Sequence, residues 1–143
     1  MHLGVKFIYK NDSTTKLKAA LYSSKVSAGF PSPAEDYIDK KLDLNEHLIK
    51  HPAATFFVKV EGNSMINAGI HNGDTLIVDR AIEPVDKKIV VAVINGELTM
   101  KRIKKINDKL YLMPENDEFK PLEVTEDSDF QVWGVVTNVI HPV

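Results

Sequence analysis

The chain has 143 residues, of which 43% are hydrophobic and 27% charged, a size and composition typical of one compact globular domain with a short appendage. It contains no cysteine, which excludes disulfides, thiolate metal sites and a cysteine nucleophile. No segment approaches the run of about 20 apolar residues that spans a bilayer, and the N-terminus does not resemble a signal peptide. We therefore expect a soluble, cytoplasmic protein without a membrane partner.

The first 28 residues differ from the rest in composition. Their apolar residues are sparse and show no sustained period, and residues 11–15 form a polar cluster typical of a loop. They carry five lysines against Asp12, whereas the remainder carries 13 basic and 19 acidic residues. Because so short a segment cannot bury its own core, we expect residues 1–28 to form an extended arm that is flexible or ordered only against the body. Residues 29–143 are expected to form the folded domain.

Two short helices are predicted where the body begins. A capping-box pattern at residues 32–35 favours a helix that ends near Lys41. Asp43 repeats the capping pattern before a second helix, which carries two leucines four residues apart and ends before Pro52.

From Thr55 onward the pattern favours β-strands. Aromatic and β-branched residues are concentrated in short runs, and Asn95-Gly96 is a strong hairpin signal between two of them. The predicted strands are 55–60, 75–79, 89–94, 97–104, 110–113 and 130–140. Many short strands with little helix predict a mostly β body of several small sheets.

The segment Gly62-Asn63-Ser64-Met65 is the first that could carry chemistry. A strand ends just before it, and Gly62 permits a sharp turn that would present Ser64 beside the backbone N–H groups of residues 63–65. That arrangement suits a serine nucleophile and the oxyanion that forms on its substrate, here facing Asn63, Ser64 and Met65. A serine after Gly-Asn also fits a turn in which the hydroxyl bonds its own backbone. The tetrapeptide alone does not decide between them.

A serine nucleophile needs a base. One possibility is that a histidine acts as the base in a Ser-His-Asp triad, but no local pattern supports this. The five histidines are His2, His47, His51, His71 and His141. Lys101 is the other candidate, because burial among apolar groups would lower the pKa of a lysine. Strand alternation places Lys101 on the same face as Thr99. An ordinary strand lysine that extends to water is the alternative interpretation.

Other chemistry finds little support in the sequence. Asp74 and Asp79 flank a predicted strand and are expected to cap turns. There is no glycine-rich phosphate loop and no ligand cluster with metal-site spacing, so neither a cofactor nor a metal is expected. The basic residues 101–105 lack interleaved aromatics, which argues against a nucleic-acid interface.

Several spaced motifs resemble the LexA/UmuD family of self-cleaving serine–lysine proteases. They are Phe30-Pro31-Ser32-Pro33-Ala34-Glu35-Asp36-Tyr37, Asp43-Leu44-Asn45, Lys50-His51-Pro52-Ala53-Ala54-Thr55, Gly62-Asn63-Ser64-Met65, Gly73-Asp74-Thr75-Leu76-Ile77-Val78-Asp79 and Trp133-Gly134-Val135-Val136. The resemblance spans about residues 28–140 and implies the protease and dimerisation fold of that family for the body.

The resemblance also implies the roles of particular residues. Ser64 corresponds to the nucleophile, and Lys101, 37 residues later, to the general base. The scissile bond precedes a glycine just ahead of the Phe-Pro-Ser-Pro segment, which gives Ala28–Gly29. Family members of the UmuD type often have cysteine before that glycine, whereas Ala-Gly is the pair typical of LexA.

The function implied is that of a self-cleaving regulatory subunit of an error-prone lesion-bypass DNA polymerase in the SOS response. An activated RecA–DNA filament would promote hydrolysis of the Ala28–Gly29 bond, and the trimmed homodimer would join a UmuC-type polymerase. Residues 1–28 are too few for the helix-turn-helix domain that a repressor places ahead of its protease domain, so protein rather than operator DNA is the expected partner.

Two other interpretations come from different classes of protein. A relative of signal peptidase would share the serine–lysine chemistry but would need a membrane anchor. A non-enzymatic interaction module would carry Ser64 and Lys101 as relics of the pair.

Overall fold

The computed structural model describes residues 5–10, 18–22 and 38–143. The chain divides into two compact units. One contains Met1–Asn11 and His51–Val143, and the other contains Asp12–Lys50.

The described residues contain ten β-strands and one α-helix. In chain order these are β1 (Val5–Lys10), β2 (Lys18–Tyr22), β3 (Ile38–Asp43), α1 (Leu44–Leu48), β4 (Thr55–Val60), β5 (Thr75–Asp79), β6 (Ile89–Ile94), β7 (Glu97–Ile106), β8 (Lys109–Met113), β9 (Leu122–Val124) and β10 (Phe130–Ile140). Short 3₁₀ turns lie at Pro52–Ala54 and Ile66–Ala68. The predicted mostly β class is confirmed.

The smaller unit contains β2, β3 and α1. β2 pairs with β3 in an antiparallel, two-stranded sheet. The carboxylate of Asp43 accepts a hydrogen bond from the backbone N–H of Asn45 at 2.9 Å, which caps α1. The predicted second helix and its cap are therefore confirmed.

The predicted first helix is wrong at its C-terminal end. Residues 38–41, which it was expected to include, lie in β3 and pair with β2. A capping pattern specifies where a helix could begin, but propensity is a weak prior once a neighbouring strand takes the backbone hydrogen bonds. The capping residues 32–35 lie outside the described residues.

The larger unit is built on one antiparallel sheet of eight strands. Their order across the sheet is β1-β4-β5-β10-β6-β7-β8-β9. Between β6 and β7 the chain reverses at Asn95 and Gly96, whose φ angles of 49° and 81° are both left-handed, as a two-residue hairpin of type I′ requires. The hairpin aligns Lys101 with Val90 on β6.

β1 and β2 lie within the basic first 28 residues, where the sequence pattern indicated no strand. β1 pairs with β4 along its length, with Ile8 opposite Val58. β4 therefore has a neighbour on each side, β1 and β5.

Two groups of buried apolar side chains lie on opposite faces of β6, because Val90 and Val91 alternate across the strand. The larger group contains Val58, Val60, Met65, Ile70, Leu76, Val78, Val91 and Met100. The smaller group contains Val90, Ala92, Ile103 and Val135. Met65, only 1% exposed, anchors the segment that follows Ser64 in the larger group.

Strand β10 carries an irregularity next to a close backbone contact. Its pairing with β6 shifts register between Val132 and Gly134. A Cβ atom added at Gly134 would lie 2.6 Å from a methyl carbon of Val78, so the neighbouring strand requires glycine at this position. Within the parts of the chain that the structure describes, no helix has both the length and the apolar character to cross a membrane.

Candidate active site

Ser64 lies in the connection that follows β4, just before the 3₁₀ turn Ile66–Ala68. Gly62 has a φ of 97°, a left-handed conformation that favours glycine, and this allows the sharp turn predicted from the sequence. The Gly62 N–H donates to the side chain of Asn72 at 3.0 Å. Ser64 is 3% exposed, so its hydroxyl lies at the bottom of the site rather than on the surface.

Lys101 lies on β7 and reaches Ser64. Its Nζ is 3.0 Å from the Ser64 Oγ. It also donates to Thr99 Oγ1 at 3.1 Å and to the carbonyl oxygen of Met100 at 2.9 Å. The structure thus brings together the serine and the lysine that sequence reasoning singled out, with Thr99 on the predicted face.

Burial lowers the pKa of Lys101 from its usual value to about 8. Its hydrogen-bond partners are two hydroxyls and a carbonyl, which carry no negative charge to hold the proton on the amine. The neutral amine is therefore more accessible near neutral pH than it is for an exposed lysine.

The histidines of the described residues do not supply a base for Ser64. His51 contacts Asp79 and His141 contacts Asp74, while His47 is exposed on α1. No histidine in residues 38–143 bonds to the Ser64 hydroxyl. His2 lies outside the described residues. The geometry in residues 38–143 therefore favours lysine as the base.

Backbone N–H groups without a partner among the described residues occur at the residues expected to hold an oxyanion. Within residues 38–143, the N–H groups of Asn63, Ser64 and Met65 donate to no other protein group. Their carbonyl oxygens are engaged elsewhere, as when Met65 accepts from Ala68 at 3.0 Å. The structure therefore leaves donors next to the nucleophile for a developing negative charge.

A loop after β8 holds the backbone on both sides of the Ser64 N–H. The N–H of Glu115 donates to the Ser64 carbonyl oxygen at 2.8 Å, and the Asn116 side chain donates to the Asn63 carbonyl oxygen at 2.7 Å. Arg102 Nε in turn binds Glu115 Oε1 at 2.5 Å. No local sequence pattern indicated these contacts, because Asn116 and its partner Asn63 lie 53 residues apart.

A cavity of about 280 Å³ opens beside the pair. Its lining is mainly apolar, with a second lysine near Phe119. The residues that line it are Ser64, Ile94, Thr99, Lys101, Leu112, Phe119, Lys120 and Leu122. Its size and apolar walls suit short aliphatic side chains. Ala28 and Gly29, the predicted scissile pair, lie outside the described residues.

The aspartates that flank β5 cap turns, as predicted. Asp79 Oδ1 accepts from the N–H of Ala81, and Asp74 Oδ2 accepts from the N–H of His71, each at 2.8 Å. Burial by itself would raise the pKa of Asp74, but its bonds to His141 and to the His71 N–H hold that pKa below the usual value.

One cluster of potential metal ligands occurs in the described residues. His71, Asp74 and His141 offer ligand atoms that lie within 4.8 Å of one another. No local sequence pattern indicated this cluster, because Asp74 and His141 are 67 residues apart.

A mostly β domain that places a buried serine against a lysine is compatible with a peptidase, and comparison with known proteins identifies the family. Residues 20–137 match the Peptidase S24-like family. The chain belongs to this family, and its recognition from sequence motifs as a member of the LexA/UmuD group is confirmed.

Named relatives cover most of the chain. Protein SamA of Salmonella typhimurium is 44% identical over 123 residues, which are 86% of this chain and 85% of the relative. Protein ImpA of Escherichia coli is 46% identical over 123 residues, covering 85% of this chain and 82% of the relative. The LexA repressor of Glaesserella parasuis is 34% identical over 139 residues, which are 96% of this chain and 66% of the relative.

Proposed function

We propose that this protein is a serine endopeptidase that cleaves its own Ala28–Gly29 bond, with Ser64 as the nucleophile and Lys101 as the general base. The 3.0 Å contact between Lys101 Nζ and Ser64 Oγ carries this proposal. Family membership supports it, as does the burial that lowers the pKa of Lys101 to about 8. No cofactor or metal takes part in the proposed reaction.

The hydrogen bonds of Lys101 explain how it would act as a base. A neutral amine has two hydrogens and one lone pair. If Thr99 and the Met100 carbonyl accept the two hydrogens, the lone pair faces the third partner, the Ser64 hydroxyl. The amine is then oriented to take the serine proton without reorganising its neighbours.

The proposed reaction proceeds through an acyl-enzyme. Ser64 Oγ loses its proton to Lys101 and attacks the carbonyl carbon of Ala28, while the N–H groups near Ser64 bind the oxyanion. Collapse of this intermediate breaks the Ala28–Gly29 bond, and the Lys101 ammonium returns the proton to the Gly29 amine. Lys101 then activates a water, which hydrolyses the ester, frees the Ser64 hydroxyl and leaves Ala28 with a free carboxylate.

The apolar cavity provides a basis for selecting this bond. Its apolar walls would suit short side chains such as those of Val26 and Ala28, which precede the proposed scissile bond in the sequence. Because the substrate belongs to the same polypeptide or to a partner copy, its effective concentration is high even if its affinity is low.

The biological role that we propose is that of a mutagenesis subunit in the SOS response. In this role the trimmed homodimer joins a UmuC-type lesion-bypass polymerase, and a RecA–DNA filament accelerates the cleavage. The support is membership of the LexA/UmuD group, together with similarity to SamA and ImpA over more than four-fifths of the chain.

Intact mass spectrometry of the purified protein at pH 7 and pH 10 tests the chemistry. We expect fragments 1–28 and 29–143 to form faster at pH 10, and to be absent from Ser64→Ala and Lys101→Ala under all conditions. If the wild type stays whole at pH 10 and also with RecA filament and nucleotide, the peptidase proposal is wrong. A non-enzymatic interaction module with a relic pair would then replace it.

The proposed role has its own test. RecA filament formed on single-stranded DNA with nucleotide should accelerate cleavage at pH 7 in the wild type. If cleavage occurs at alkaline pH but the filament leaves the rate at pH 7 unchanged, the peptidase stands and the proposed regulation fails.

A further inference from the structure

Three ionisable side chains outside the serine–lysine pair converge at one end of the sheet: His71, Asp74 and His141. The first two belong to the turn that precedes β5, and His141 directly follows β10. β5 and β10 are antiparallel neighbours with Thr75 opposite Ile140, so the next pair along the ladder sets Asp74 beside His141. Strand register thus assembles the cluster.

The distances within this cluster are close to those of a metal site. Its ligand atoms lie within 4.8 Å of one another. His141 Nδ1 is 2.5 Å from one Asp74 oxygen, and His71 Nδ1 is 3.8 Å from the other. Donors that share a zinc ion at about 2.0–2.2 Å lie no more than about 4.4 Å apart, so small side-chain rotations suffice to bring all three onto one ion.

The hydrogen bonding of the cluster is incomplete in a way that indicates a ligand. His71 Nδ1 is buried at the atomic level and has no hydrogen-bond partner in the described residues. Asp74, which it faces, is fully buried, and its oxygens already accept from His141 and from the His71 backbone N–H. Buried polar atoms in folded proteins usually have a hydrogen-bond partner, and a bound ion is one of the few explanations for an atom that has none.

We infer that His71, Asp74 and His141 bind one divalent transition-metal ion with the coordination chemistry of zinc. Two imidazole nitrogens and one carboxylate oxygen form a donor set that favours such ions over magnesium or calcium, which prefer oxygen ligands. The side chains of His71 and His141 are 43% and 47% exposed, so water can complete the coordination. This inference does not depend on the proposed peptidase activity.

Such an ion would act as a cross-link between two parts of the larger unit. It would join the turn at 71–74 to the C-terminal end of β10. The same turn contributes Asn72, whose side chain accepts the Gly62 N–H next to the Ser64 segment. Metal binding would therefore stabilise the turn and increase resistance to thermal unfolding.

Isothermal titration of tag-free full-length protein with zinc chloride at pH 7 tests the inference, with intact mass confirming that the chain stays whole. We expect one saturable site in the wild type and a rise in Tm with zinc. His71→Gln and His141→Gln should each weaken binding by at least tenfold, because loss of even an outer-shell partner costs roughly 10- to 100-fold.

His51→Gln is the matched control. His51 makes a similar contact, with its Nδ1 2.6 Å from Asp79 Oδ2, but no third potential ligand joins this pair within the described residues. The control should bind zinc like the wild type. Absence of saturable zinc binding would overturn the inference, as would an equal loss of affinity in all three variants, which would indicate scattered binding to surface histidines.

Discussion

Lys101 makes its three hydrogen bonds to groups without charge, and this determines how the residue behaves. The ammonium form donates one hydrogen bond to each of Ser64, Thr99 and the Met100 carbonyl, but burial removes the ammonium group from water. The same burial that makes the amine a usable base therefore costs folding free energy while the amine is charged.

The cleavage rate should follow the neutral fraction of Lys101. With a pKa of about 8, the rate should rise about tenfold per pH unit below 8 and level off above it, since only the neutral amine accepts the serine proton. Single-turnover rates from pH 6 to 10 measure this profile. Lys101→Arg should be inactive throughout, because guanidinium does not deprotonate in proteins. A flat profile in the wild type would show that Lys101 is not the base.

Lys101→Met should stabilise the protein at neutral pH. The folded-state pKa lies below the unfolded-state value of 10.5, so the charged lysine opposes folding at pH 7, and this penalty fades as pH rises from about 8 to 10.5. With Ser64→Ala present in both proteins to prevent cleavage, urea unfolding at pH 7 and pH 10.5 should show an advantage for the Lys101→Met variant that is larger at pH 7. A Lys101→Met variant less stable than its Lys101 counterpart at pH 7 would contradict the burial argument.

We expect Asn116 to act as a positioning residue, since it touches the Asn63 backbone and not the proposed reacting atoms. Asn116→Ala should slow cleavage by roughly 3- to 10-fold, the equivalent of one lost hydrogen bond, and leave the midpoint of the pH profile unchanged. Asp117→Ala, an exposed neighbour, serves as the control. A shifted midpoint would instead indicate that the loop acts on Lys101.

The serine–lysine pair was identified through the family resemblance, because the local pattern at each residue marked a candidate but left an alternative open. Ser64 follows a glycine turn, and Lys101 follows a hairpin whose alternation sets its face. Asn116 and the ligand cluster at Asp74 and His141 were not predictable, because strand register brings those residues together from distant positions. A pattern in a short stretch of sequence cannot predict contacts between residues that are far apart in the chain.

Among the elements of the fold, the strands of the body were the most predictable. β4, β5, β6 and β10 match the expected ranges, because runs of β-branched and aromatic residues between turn residues specify buried strands directly. β3 was missed, since tertiary pairing with β2 overrides the local capping signal ahead of it. β1 was missed because its sequence carries no sustained alternation, and its partner β4 lies about 50 residues away.

Gly134 permits the close contact between β10 and β5. Gly134→Ala should lower the free energy of unfolding by about 1–3 kcal/mol, because the new methyl group would lie 2.6 Å from Val78. Denaturant unfolding measures the loss. Gln131→Ala, at an exposed position of the same strand, should change stability by less than about 0.5 kcal/mol. Equal stability of Gly134→Ala and the wild type would show that the two strands move apart at little cost.

For the molecule as a whole, the pairing of β1 with β4 has a consequence for the cut chain. We predict that residues 1–28 stay bound to residues 29–143 after the proposed cleavage, because β1 keeps its hydrogen bonds to β4 when the covalent link is broken. Native mass spectrometry after cleavage should show the two fragments as one complex, and denaturing conditions should separate them.

Proline substitution tests this pairing. Replacing Ile8 and Tyr9 together by proline removes adjacent N–H donors of β1 and should weaken retention of the fragment, which β2 also holds through its pairing with β3, whereas Ile8→Ala retains the donors and should not. Immediate separation of the wild-type fragments under native conditions would contradict the prediction.

Peptide hydrolysis and the exposure of a new surface are then two separate steps, each with its own rate. Until the short fragment departs, β4 remains an interior strand of the sheet, and the cut protein presents the same surface there as the uncut one. After departure, β4 becomes an edge whose unpaired backbone can accept a strand from another protein. The dissociation rate of a peptide, and not the turnover of the serine, would set the delay before such a partner can bind.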